Sequence, residues 1–144
     1  MGKYEEVKEG ILKGVGESLQ ELIALNDDLA DHPEISGEEY ESSRKIVELL
    51  RGKGFEVEYP FAGLDTAFKG VFGSNDHKYK VAILAEYDAL PEIGHACGHC
   101  VSGSISILAA IALSKLQDAL DTDVHIIGTP IEETDGCICW ARYK

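Results

Sequence analysis

Chemistry concentrates in one stretch of the chain. Ala85-Glu86-Tyr87-Asp88-Ala89-Leu90-Pro91 runs almost directly into Gly94-His95-Ala96-Cys97-Gly98-His99. Cys97 and His99 stand one residue apart, and a loop at a helix start can aim both at one ion. Thiolate and neutral imidazole suit zinc or a similar divalent metal. Asp88 lies close enough to act as a carboxylate that fixes a ligand's orientation. Further on, Glu132-Glu133 offers two carboxylates with opposed directions. One can bind metal while the other takes a proton from water, the division of labour that metal-assisted hydrolysis uses.

Each feature also has a plainer reading. Cys97 and His99 fit a buried thiol and a hydrogen-bonded imidazole at a helix N-terminus. Asp88 fits a turn or a cap. Glu132-Glu133 fits an acidic first helical turn, favoured by the helix dipole. Cys97-x-x-Cys100 with Cys137-x-Cys139 raises a structural zinc knot, but the second pair is one residue short of the usual spacing. His32, His77 and His125 lack clustered partners and read as structural or exposed.

The elements that would position these groups follow from the apolar pattern. Val7, Ile11, Val15, Leu19, Leu22, Ile23 and Leu29 recur at helical spacing. Gly10, Gly14 and Gly16 weaken the early part, so the helix should be firmest from Glu17 to Ala30 and stop at Pro33. Ser36-Gly37-Glu38-Glu39 matches a capping box, with Ser36 as N-cap and Glu39 reaching back, and predicts a second helix to about Arg51. Phe55, Val57 and Tyr59 alternate with Glu56 and Glu58 as in a half-exposed strand. Ala67 to Phe72 reads as another strand. Val81 to Ala85 is continuously apolar, which predicts a central strand buried on both faces. Gly98 to Leu120 should be helical, and Val124 to Ile127 a second buried strand. Helices alternating with buried strands indicate an α/β sandwich with a mixed sheet. Both candidate motifs then sit at the carboxyl ends of strands, where ligands gather in such folds.

Composition sets the outer bounds. A chain of 144 residues fills one ordinary domain and can bury a real core. A net charge of -13 argues against a nucleic-acid partner and against docking on anionic membranes. No apolar run reaches the ~18 residues that a membrane span needs. The charged N-terminus lacks the apolar core of a signal peptide. A cytoplasmic location is expected, with the four cysteines reduced.

Taken together, these residues resemble the co-catalytic metal peptidase and amidohydrolase family that includes aminoacylase, hippurate hydrolase and the indole-acetyl-amino-acid hydrolases. The likeness is greatest to its aminobenzoyl-glutamate-hydrolase-like and dipeptidase-like branch. It rests on His32-Pro33-Glu34, Ala85 to Pro91, Gly94 to His99, and Gly128-Thr129-Pro130-Ile131-Glu132-Glu133-Thr134, in the family order. The resemblance implies a three-layer α/β/α sandwich. It implies Cys97, His99 and Glu133 as metal ligands, Glu132 as the catalytic base and Asp88 as the orienting carboxylate. It further implies divalent metal, zinc first, with manganese or cobalt as alternatives and two ions in a complete enzyme. The family hydrolyses amides that join an acyl or aminoacyl group to an amino acid, so a small peptide or N-acyl amino acid is the expected substrate.

The departures shape the remaining expectations. Family members are more than twice as long, with further His ligands and a smaller domain that closes over substrate and usually dimerises. After Glu133 eleven residues remain, none His or Glu. Cys100 stands where Asn or Asp is usual. Residues 1–144 are therefore expected to form part of a catalytic domain, without the lid domain and the C-terminal half. Such a fragment should be inactive alone and should form homo-oligomers. The alternative is a non-catalytic remnant that binds metal or self-associates.

Overall fold

The computed structural model describes residues 2–74 and 76–135. Helix α1 (Lys3–Asp31) is a single 29-residue helix, longer than the glycine content predicts. Its buried face is Gly14, Ser18, Leu22, Leu25 and Leu29, one position per turn, whereas Leu19 and Ile23 are exposed. Gly10 and Gly14 are a packing device, whereas Gly16 faces open space. A Cβ on Gly14 would stand 3.1 Å from the Ala112 Cα, so α1 lies close against the helix that carries Ala112. Close packing offsets the weak propensity. His32 caps the helix end by donating its backbone N–H to Asp28, and Pro33 prevents continuation.

Helix α2 (Tyr40–Gly52) begins three residues later than the capping-box pattern implies, with Glu39 at the N-cap position. Ser36 is not its cap, and Glu39 does not reach back to Ser36. The orphan N–H groups of Glu41 and Ser42 are instead met by the Glu34 carboxylate, at 3.1 and 2.6 Å. The remaining elements are β1 (Glu56–Glu58), β2 (Phe68–Phe72), β3 (Tyr79–Ala85), α3 (His99–Ser114), α4 (Gln117–Leu120), β4 (Thr122–Gly128) and α5 (Glu132–Asp135).

The four strands form one mixed sheet in the order β1-β2-β4-β3, antiparallel except for the parallel β3–β4 pair. This is the α/β class read from the pattern, with one correction. Strand β4 is interior as expected, but β3 is an edge strand among the described residues, and Val81 is 40% exposed. Only its last residues are covered. The register places Phe68, Val124, Ile126, Ile83 and Ala85 on one face, and these join Leu22, Leu25, Leu29, Ile46, Leu50, Ile107 and Ile111 in one core. Among the described residues, α1, α2 and α3 thus contribute to the core on a single face. On the other, Lys80 and Ala82 are exposed. No helix of the described residues is long and apolar enough to cross a membrane.

Candidate metal centre

Strands β3 and β4 run parallel, and their last residues, Ala85 and Gly128, are paired. Thr129 ties the two ends by donating its N–H to the Ala85 carbonyl at 2.9 Å. The two chemical stretches therefore leave the sheet side by side. Gly98 adopts φ 89, the left-handed region that disfavours a side chain, and this turn caps α3 between Cys97 and His99. Helix α3 then approaches the end of β3 closely. A Cβ on Gly103 would meet the Glu86 carbonyl oxygen at 2.2 Å.

Cys97, His99 and Glu133 come together, with one ligand atom from each lying within 4.8 Å of the others. It is the one such cluster of three among the described residues. His99 is buried. Its Nδ1 sits 3.0 Å from both the Asp88 carbonyl oxygen and the Asp88 Oδ1, with hydrogen-bond geometry to the carbonyl. A proton on Nδ1 leaves the Nε2 lone pair free for a cation. Nε2 faces Glu86 at 3.3 Å, Glu132 at 3.6 Å and Glu133 at 3.7 Å. Asp88 is fully buried, and its Oδ2 accepts from Ser36 Oγ at 2.6 Å and from the Glu133 N–H at 2.9 Å. One carboxylate thus contacts the imidazole with one oxygen and fixes the Glu133 backbone with the other.

All five residues singled out in the sequence meet here. Glu86 is one the sequence reading missed. Its signal was the two-residue period that puts Glu86 and Asp88 on the same side of an extended chain. Ser36 and Glu39, read only as helix punctuation, and Glu34, read only as part of a family motif, all bond to groups around the site. Cys100 is buried in the core, which removes it from a knot with Cys97. Cys137 and Cys139 lie outside the described residues. His77, read as partnerless, lies 2.7 Å from Asp123 and 3.3 Å from Asp118 at the far end of the sheet.

The electrostatics suit a cation. Desolvation, with the Glu133 carboxylate adding to it, raises the Cys97 thiol even though the residue is largely exposed. Burial, and then the neighbouring His99, push the His95 imidazole down. Among the described residues no Lys or Arg pairs with Glu86, Glu132 or Glu133. A soft sulfur, an imidazole nitrogen and a carboxylate oxygen form a donor set that fits a divalent transition metal.

No family model matches the chain. Individual relatives do. A mouse (Mus musculus) Xaa-Arg dipeptidase is 32% identical over 93% of this chain and 34% of its own length. Thermostable carboxypeptidase 2 of Saccharolobus solfataricus is 32% identical over 80% of this chain and 33% of its own. A solved structure from methicillin-resistant Staphylococcus aureus superposes with a TM-score of 0.78 and 28% identity, over 90% of this chain and 36% of that one. A dinuclear metal-binding peptidase from the M20 family of Bacillus subtilis gives 0.65 and 28%, over 77% and 34%. The chain spans about a third of the length of the curated relatives it matches.

Proposed function

The chain belongs to the M20 family of metallopeptidases and amidohydrolases, and from this premise we propose that it carries the base and one metal-ligand set of an enzyme that hydrolyses N-acyl or aminoacyl amino acids. The convergence of Cys97, His99 and Glu133 on one point carries this reading. A divalent ion held there, zinc first, would polarise the substrate carbonyl and acidify water. Glu132, beside Nε2 of His99, takes the proton of the attacking water and returns it to the leaving amine. Asp88 keeps the imidazole in the tautomer that presents Nε2, and its bond to the Glu133 N–H steadies the carboxylate ligand.

We further propose that residues 1–144 correspond to the N-terminal part of the catalytic domain and do not turn substrate over alone. A two-ion centre needs more donors than the three gathered here, and substrate must be held still for attack. Equilibrium dialysis of the purified chain should show one zinc bound, lost in Cys97→Ala. Uptake unchanged by that substitution refutes the ligand assignment. Assays on dipeptides and N-acyl amino acids with zinc, manganese or cobalt should show no turnover. Metal-dependent turnover that vanishes in Glu132→Gln would show these residues to be sufficient.

A further inference from the structure

We infer that Glu39 is a positioning residue for the turn that bears Glu132 and Glu133; this rests on the metal-centre reading above. Glu39 is fully buried, and no Lys, Arg or His pairs with it among the described residues. Its carboxylate instead gathers three neutral donors. Oε1 accepts from the Gly37 N–H at 2.7 Å and from the Ile131 N–H at 3.0 Å, and Oε2 accepts from Thr66 Oγ at 2.9 Å. A buried carboxylate without a counter-charge is expensive, and its hydrogen bonds must compensate.

The donor that reveals the purpose is Ile131. This residue adopts φ 64, in the left-handed region where a β-branched side chain is an outlier. It directly precedes Glu132, so its backbone sets the direction in which both glutamates leave β4. Strained conformations of this kind persist only where the surroundings impose them. Here two buried carboxylates impose it from either side of Glu132. Glu39 holds the Ile131 N–H, and Asp88 holds the Glu133 N–H at 2.9 Å. Asp88 also contacts His99, whereas Glu39 touches no ligand and acts only through the turn. Without the Glu39 anchor, Ile131 can relax toward negative φ and swing Glu132 and Glu133 away from His99.

Two readouts on the full chain test this. The first needs no metal. Amide hydrogen exchange by NMR should show the Ile131, Glu132 and Glu133 amides losing protection in Glu39→Leu while β4 amides such as Ile126 keep theirs. Glu39→Gln should behave like wild type, because its amide oxygen can still accept from Gly37 and Ile131 while its NH2 donates to Thr66 Oγ. The second is zinc affinity. Glu39→Leu should weaken binding roughly tenfold or more, with no further loss when added to Glu133→Ala. Equal loss in both backgrounds, unchanged binding, or unchanged protection at 131–133 overturns the inference. If Glu39→Leu does not fold, Glu39→Asp replaces it and is read the same way, since its shorter arm cannot span Gly37 and Ile131 together. A wild-type chain that takes up no zinc refutes the metal reading, and the exchange arm still decides the role of Glu39.

Discussion

Gly103→Ala should loosen the metal centre from a position that touches none of its donors. The added Cβ would lie 2.2 Å from the Glu86 carbonyl oxygen, and ordinary contact begins at 3.4 Å, so α3 and the end of β3 must separate by about an ångström. The obstacle is backbone, which cannot rotate aside. The same separation would stretch the 3.0 Å bond from His99 on α3 to the Asp88 carbonyl beyond hydrogen-bonding reach. Overpacking of this kind costs ~1–3 kcal/mol, and the lost hydrogen bond adds ~0.5–1.5. Alanine's better helix propensity returns ~1 kcal/mol. The net loss should be about 2 kcal/mol, or a fall in Tm of roughly 4–8 °C for a chain of this size. Gly16→Ala on α1 is the control. Nothing lies within 4 Å of a Cβ there, so the same substitution should stabilise by up to ~1 kcal/mol. Thermal melts and zinc titrations of both variants are the assay. A Gly103→Ala protein that melts at or above wild type and binds zinc equally well would refute the close-approach argument.

Two further outcomes are expected. The His77 imidazole is raised above its ordinary 6.5 by its hydrogen bond to Asp123, with Asp118 adding to it, so its stabilisation is complete below about 6.5 and is lost as pH climbs through the raised value. Thermal melts from pH 6 to 9 should fall in wild type more steeply than in His77→Gln, and parallel curves would rule the contact out as the cause. The chain should also self-associate, because β3 is an edge strand among the described residues and Ile105 and Val101 are 61% and 49% exposed on α3. Light scattering at moderate salt, where repulsion between chains of net charge -13 is screened, that reports a monomer across the micromolar range would reject this.

What the sequence disclosed depended on how local the cause was. Helix α1 and strand β4 were legible because their apolar pattern is set by the residues themselves, whereas the single helix expected over Gly98 to Leu120 is divided into α3 and α4. Strand β3 was misplaced although Val81 to Ala85 is as apolar as the β4 run. A continuous apolar segment indicates that both faces suit burial, not whether a strand lies beyond it. Capping failed in a related way. Ser36 and Glu39 have the right types and spacing for a box, but Asp88 and Ile131, far along the chain, compete for the same atoms and win. Glu34 then satisfies the helix start. The partners of His77 lie 41 and 46 residues away and leave no trace in a local pattern. Gly10 and Gly14 lower helix propensity, and only tertiary contact with Leu116 and Ala112 reveals their purpose.

The residues singled out from the motifs come together beside Glu86, which the sequence reading missed, and their charges have a consequence. Glu86, Glu132 and Glu133 crowd one imidazole nitrogen and repel one another, with water screening part of that repulsion at the half-exposed Glu86 and Glu132. The N-terminus of α3, at His99, supplies about half a positive charge, which favours the carboxylates. That is too little for three carboxylates. A Lys or Arg beside them would balance the charge, but none pairs with them among the described residues. The buried anions Asp88 and Glu39 hold the backbone of the same turn and add to the deficit. A divalent cation at the point shared by Cys97, His99 and Glu133 would relieve the repulsion and use the donors already aimed there. The accumulated negative charge is thus an argument for the ion that is independent of family likeness. It also means that substitutions removing charge from this cluster, such as Glu86→Gln, should steady the metal-free fold while weakening its hold on a metal.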